Sequence, residues 1–426
     1  MIAPELETVD VVIVGAGAAG LATAIFAARH ATVPLRIECL DGARRVGAKI
    51  LVSGGSRCNV TNSIVTERDF WGGSSRVVKH VLRGFPADRA AAFFEEIGVA
   101  LHEEADGKLF PDTNRSRSVL DALLAEAGRL GVVLATAQRV IRVARLDRGF
   151  EIETADGRCL RTRVVVLATG GRSLPKSGSD GGGYVLAQSL GHTLVDTTPA
   201  LAPMLLAGES HAPLAGVSHP GALTLRVDGA TAIQLEGALL WTHFGISGPV
   251  VLNMSRHWLR ASAEGRVVEL SLNLCPDHSF ESVERWWLEQ ERSRARAQVA
   301  TVLSTLVPAA LALAVLTASE LAPDVTLAHV TKEQRRRVIH RLTALRLEAR
   351  GSRGYDYAEV TAGGVALDEI DPATMGSRRC PALYLVGEIL DVDGRLGGFN
   401  FQWAWSSAWT AARAIAREIS SDVTRK

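Results

Sequence analysis

Gly15-Ala16-Gly17-Ala18-Ala19-Gly20 stands directly after the β-branched run 11–14 and directly before the Ala-rich, helix-prone stretch 21–29. In a G-x-G-x-x-G turn between strand and helix, the first glycine makes the tight turn and the second admits a pyrophosphate against the backbone. The third lets helix pack on strand. The helix N-terminus then faces the phosphate charge. Asp41 comes 21 residues after Gly20 and closes a second strand candidate, 35–40, where it can accept hydrogen bonds from a ribose. Its rival, Glu38, lies inside that strand. The pattern predicts a dinucleotide site that uses Gly15, Gly17, Ala18, Ala19, Gly20 and Asp41.

A second run of small residues, Ser53-Gly54-Gly55-Ser56-Arg57-Cys58-Asn59, offers backbone amides to a ligand, with Arg57 available for a phosphate or a flavin ring oxygen. Cys58 is weighed as a nucleophile against a small packed residue, since a reactive thiol needs an electropositive, accessible setting. Ala168-Thr169-Gly170-Gly171 closes the apolar run 164–167, and Gly387-Glu388, Asp391 and Gly397-Gly398-Phe399-Asn400 repeat that logic near the C-terminus. A helix beginning near Phe401 would aim its dipole at negative charge on a reduced ring. Glycine loops at both ends of the chain point to FAD rather than NAD, because a long cofactor needs contacts from both.

The elements that must position these residues follow from pattern. The strand–turn–helix–strand start is a βαβ unit, and amphipathic helices are expected at 87–97 and 118–130, the latter capped by Ser118. Alternating strands at 132–163 read as a meander, and 164–167 as a central strand covered on both faces. The expected organisation places the first part of an FAD domain at 1–196, a β-rich insertion at 197–276, a helical insertion at 277–352 and the second part of the FAD domain at 353–426.

With 426 residues the chain has room for two or three domains, and its 47 basic and 46 acidic residues give a net charge of +1. Bulk charge therefore suggests no nucleic-acid partner, although positions 285–353 carry twelve basic residues against six acidic ones. Five scattered cysteines and an acidic N-terminus without a basic leader suggest a reduced, cytoplasmic protein. The uncharged stretch 297–319 contains Pro308 and reads as two short buried helices rather than a membrane span.

The blocks at 53–62, 168–171, 242–249, 360–365, 387–394 and 397–400 resemble the bacterial FAD-binding flavoproteins of the aminoacetone oxidase type and bile-acid Δ4,6-reductase type, over nearly the whole chain. The resemblance implies an α/β, glutathione-reductase-like FAD domain interrupted by the two inserted segments, with Val140 near the adenine through its backbone. Ser56 stands where that family usually has a third glycine, and Phe399 where it usually has tyrosine, which removes a hydroxyl from beside the flavin.

His243, ahead of a Gly-Ile-Ser-Gly-Pro turn, is the remaining acid/base candidate, since its ordinary pKa suits either direction of proton transfer. The function expected is hydride transfer between FAD and a small organic substrate, with NAD(P)H docking transiently to reduce an activated double bond. An oxygen-using amine or aminoketone oxidase is the alternative, and a nucleic-acid modifier is the alternative of another class.

Overall fold

The structure, a computed structural model, describes residues 7–424. The chain divides into two compact units, one formed by 1–198 with 359–426 and the other by 199–358.

The first unit is built on a sheet whose central strand, β1 (Glu7–Val14), feeds the glycine turn and helix α1 (Ala18–His30) before returning as β2 (Ile37–Leu40). Val11, Val12 and Ile13 are fully buried, as a strand covered on both faces requires. A helix α2 (Ala48–Ser56) follows. The sheet continues with β3 (Val133–Ala135), β4 (Val140–Arg145), β5 (Phe150–Thr154), β6 (Cys159–Leu167) and β7 (Leu383–Leu385). The long strand β6 branches. Its first half pairs antiparallel with β5, continuing the meander into β4, and its second half runs parallel to both β1 and β7.

Register has the main functional consequence. Val14 lies opposite both Leu40 and Leu167, and Leu167 lies opposite Leu385. Four parallel strands therefore end at one level, so the turns that follow them, at Gly15, Asp41, Ala168 and Gly387, share one edge. Ligands of open α/β sheets bind at this carboxyl edge. The closing helix α3 (Phe399–Thr424) begins two residues before the sequence suggested and packs against α1. The helix expected at 118–130 starts at Ser116, with Arg115 as its N-cap; Ser118 bonds Thr113 and the Arg115 carbonyl instead.

The second unit holds a seven-stranded antiparallel sheet, of which Ser218–Val227 and Ala230–Thr242 form the long central hairpin. Helices Pro249–Ala263, Phe280–Arg294 and Lys332–Thr343 bury one core with it, in which Leu223 and Leu272 of the strands join Trp287 and Leu342 of the helices. The segments 197–276 and 277–352 thus share a single apolar interior. The uncharged stretch forms Val299–Leu303 and Ala309–Ala318, the second capped by Pro308. No helix among the described residues is long and apolar enough to cross a membrane.

Candidate functional site

The three glycines of the first turn serve different masters. Gly15 has φ +102°, and a Cβ there would come 2.5 Å from the Ala168 carbonyl. A Cβ on Gly20 would run into the Gly15 carbonyl. At Gly17 nothing lies within 4 Å. Packing within the protein thus demands two of the glycines, while the middle one borders open space at the N-terminus of α1. That N-terminus carries no side-chain cap and no acidic residue in its first turn, so its N–H groups remain available to an anion. A pyrophosphate fits this cradle in charge and in room.

Asp41 holds the neighbouring turn, its two oxygens accepting the Ala16 N–H at 2.7 Å and the Ala43 N–H at 2.8 Å. Glu38 is buried and paired with Arg158 at 2.5 Å, which leaves Asp41 as the acid at the strand end. The Gln138 N–H donates to the Asp41 carbonyl and the Ala137 N–H to that of Ala43, so the backbone leading to Val140 lies beside the Asp41 turn.

The run 53–59 leaves helical geometry at the C-terminal end of α2 and continues past it as a turn. Ser53 is extended, then Gly54 (φ +54°), Gly55 (+66°), Ser56 (+66°) and Cys58 (+63°) are left-handed. Ser56 accepts about 1 kcal/mol of strain where the resembling family has glycine. Nothing lies within 4 Å of a Cβ at Gly55, so this turn too faces space. Two residues of this run are engaged within the protein. Arg57 does not offer a free guanidinium, because it grips Glu104 at 2.6 and 3.2 Å and lies 4.1 Å over the Phe110 ring. Cys58 is fully buried, and that burial pushes its thiol up to about 12, so it stays protonated and a poor nucleophile. Native protein at pH 8 is expected to lose exposed Cys159 to iodoacetamide while Cys58 stays unmodified, with peptide mass spectrometry as the readout. Equal labelling of the two would return Cys58 to the list of reactive thiols.

The C-terminal loops close over the same edge. Gly387 (φ +75°) would place a Cβ 2.7 Å from that of Ala19, and its N–H and carbonyl are held by Ser407 and the Trp403 indole. Glu388 accepts from Lys49 (2.5 Å), Ser173 (2.9 Å) and the Thr361 N–H (3.0 Å). A Cβ on Gly171 would collide with Thr361 and approach this Glu388 oxygen. Gly170 (φ +71°) follows Thr169, while the Ala168 N–H bonds the Val14 carbonyl. Gly398 (φ +89°) presses on the Thr61 backbone, its N–H donating to Asn59 at 3.1 Å, and Asn62 donates to the Gly397 carbonyl. Asn400 exchanges two hydrogen bonds with the Gly394 backbone. Buried Asp391 is tied through its backbone to Val365 and Gly73.

Phe399 departs from expectation. It is 1% exposed, edge-on to Phe70, and is therefore a core residue rather than one lining an open face. His243 is the one predicted site residue in the second unit, exposed in the turn after Thr242 with its ring edge-on to Phe244. Lys49 and Ser173 are not singled out by the sequence reading, and Thr361 enters it only within the block 360–365. The available signals were Lys49 four residues before Ser53 and Ser173 two after Gly171.

One other constellation resembles nucleophile chemistry. Ser377 Oγ lies 2.8 Å from His192 Nε2, and His192 Nδ1 lies 2.9 Å from Glu369. Ser377 already accepts the N–H groups of Arg379 and Cys380, however, so its oxygen has no lone pair left for attack. Burial alone would raise Glu369, but donors from Thr193, Arg379 and His192 bring it down to about 2. The cluster is a structural clasp.

A parallel sheet with an open glycine cradle at its carboxyl edge, roofed by C-terminal glycine turns, defines a dinucleotide-binding flavoprotein. The chain belongs to the HI0933-like protein Rossmann domain family, whose model matches residues 9–414. It is 34% identical over 423 residues to the ribosomal RNA dihydrouridine synthase of Escherichia coli, covering 98% of this chain and 100% of that one. It is 31% identical over 404 residues to the 3-dehydro-bile acid delta(4,6)-reductase of Clostridium scindens, covering 95% and 98%. A 3-ketosteroid delta1-dehydrogenase from Sterolibacterium denitrificans shares the fold, with a TM-score of 0.50 at 13% identity over 97% of this chain and 100% of that one. The protein is an FAD-dependent oxidoreductase.

Proposed function

We propose that this oxidoreductase reduces a carbon–carbon double bond conjugated to a carbonyl, and that its substrate is a uridine of ribosomal RNA. The observation that carries the reading is that two relatives of similar identity are named for chemically different molecules that undergo the same bond change. Dihydrouridine is uridine with its ring C=C, conjugated to a carbonyl, saturated; a 3-dehydro-bile acid with 4,6 unsaturation presents the same motif in a steroid. The RNA relative is matched along its entire length.

When bound, FAD supplies the hydride. The chain's part is to hold and orient it: the α1 N-terminus at Gly17 for the pyrophosphate, Asp41 for a ribose, the backbone before Val140 for the adenine, and the turns at Thr169–Gly171, Gly387–Glu388 and Gly397–Asn400 along its length. Only one dinucleotide turn is present, so NAD(P)H is taken to dock transiently as reductant.

The RNA reading departs from the expectation drawn from bulk charge. A net charge of +1 averages over an uneven distribution. On Lys332–Thr343 the exposed Lys332, Arg336 and His340 recur every fourth residue, which puts them on one helix face. Such a row matches a phosphate backbone.

Anaerobic mixing with NADPH is expected to bleach the flavin's visible absorbance. Adding ribosomal RNA that lacks dihydrouridine should restore the absorbance, and nuclease digestion with mass spectrometry should find a uridine enlarged by two hydrogens. Restoration by a 3-oxo-4,6-diene steroid and not by RNA would overturn the substrate while keeping the bond class. Restoration by neither would overturn both, and a flavin that NADPH and NADH leave oxidised would favour the oxidase.

A further inference from the structure

Three short strands of the second unit run side by side, Gly245–Ser247, Met204–Leu206 and Ala349–Ser352. Leu205 lies opposite both Gly245 and Gly351, so the residue entering the first strand and the residue leaving the last both flank the middle one. The Leu206 N–H donates to the Phe244 carbonyl at 3.2 Å, and the Arg353 N–H to the Pro203 carbonyl at 3.1 Å. A turn follows, in which Gly354 takes φ +73° and the Tyr357 N–H returns to the Gly354 carbonyl at 3.2 Å. That turn folds Tyr357 back onto Arg353.

The result is a cation held between two rings. The Arg353 guanidinium lies 3.4 Å over the Tyr357 ring and 4.6 Å over the Phe244 ring. Both contacts use its flat face. Among the described residues no carboxylate pairs with this guanidinium and no acceptor takes its N–H groups, so its edge is free for a partner from outside. Tyr357 has one ring face covered by Arg353 and is still 50% exposed, which leaves the opposite face to solvent. Exposed His243 meets Phe244 edge-on at 5.0 Å and borders the same group. Phe244 is half-buried, so the aromatic pair is anchored on one side and open on the other.

We propose that Tyr357 and Arg353 form a docking platform for one unpaired nucleotide of RNA, the base stacking on the open face of Tyr357 and the adjoining phosphate taking the Arg353 fork. The inference rests on the RNA reading above and names the residues that would recognise that substrate. A nucleotide of a single strand supplies both complements at once, a flat π-face and an anion a few ångströms from it. A guanidinium fork matches phosphate oxygens two at a time. A base inside a duplex is already stacked on both faces and cannot use the tyrosine, so the platform selects unpaired segments. A steroid offers a puckered ring system with no phosphate and would leave the Arg353 fork unused.

The test titrates FAD-loaded protein with a short single-stranded oligouridylate carrying one 2-aminopurine, whose fluorescence falls when it stacks on an aromatic ring. The parent should quench it. Tyr357→Ala should abolish the quenching and weaken binding about tenfold, whereas Tyr357→Phe, which keeps the ring, should behave as the parent. If the alanine variant unfolds, Tyr357→Leu keeps the bulk and removes only the π-face. Arg353→Gln should weaken binding and reduce the slope of log affinity against log salt by about 0.7, the value for one phosphate of a single strand. Tyr357→Ala should leave that slope unchanged. Reoxidation of the reduced flavin by ribosomal RNA is measured on the parent in parallel. Reoxidation with oligonucleotide affinity and quenching unaltered by Tyr357→Ala overturns the platform and keeps the substrate. Ring-dependent quenching without reoxidation keeps the platform and overturns the substrate, and no binding at low salt overturns both.

Discussion

Gly17→Glu should yield a folded, colourless protein. Gly17 has φ −81°, which any residue adopts, and a Cβ there meets nothing within 4 Å, so the substitution introduces neither backbone strain nor collision. A glutamate before the first turn of a helix is electrostatically compatible with it. The stability of the FAD-free fold should therefore stay within about 0.5 kcal/mol of the parent. The new carboxylate would occupy the space that a pyrophosphate needs and would oppose its charge, so FAD affinity should fall at least about 100-fold, roughly 2.7 kcal/mol. Absorbance of the purified variant and reconstitution with added FAD measure the first effect; circular dichroism and denaturant titration measure the second. A yellow variant with stoichiometric flavin would remove the cradle from the site.

Glu388→Ala should instead strike the fold and the cofactor edge together. It strips the acceptor from the Lys49 ammonium, the Ser173 hydroxyl and the Thr361 N–H at once. Breaking a fully buried ion pair costs about 3–5 kcal/mol. The Lys49 and Glu388 side chains keep 27% and 17% of their exposure, so water recovers part of that and about 2–3 kcal/mol is expected. At roughly 2–4 °C per kcal/mol for a unit of this size, thermal unfolding of FAD-free protein should move down by several degrees. Adding Lys49→Met should restore part of the loss, since it removes the stranded charge, and the double-mutant cycle isolates the coupling. A Glu388→Ala protein as stable as the parent would mean that the cluster is solvated and structurally idle.

The parts of the site legible in sequence are those whose cause is local. A strand, a G-x-G-x-x-G turn and a helix are adjacent in the chain, and the steric reason for Gly15 and Gly20 lies within or beside that turn. The apolar run ending at Leu167 and the loop at Gly387 were legible for the same reason: each is a strand followed by the residue type that a turn at its end demands. His243 shows the limit, since residue type and a nearby turn suggest acid/base chemistry without saying what the ring will face.

Residue type and spacing were thus enough to establish a glycine-built, FAD-binding α/β edge, because turns and helix starts draw on neighbours a few positions away. Folding in three dimensions assigned the partners. Lys49 meets Glu388 across 339 positions, Arg57 turns to Glu104 instead of a ligand, and Cys58 and Phe399 sink into the interior. These contacts follow from the shared level at which parallel strands end and from which side chains the packed layers enclose. Both are set by register and burial between distant segments, which leave no mark at the single positions concerned.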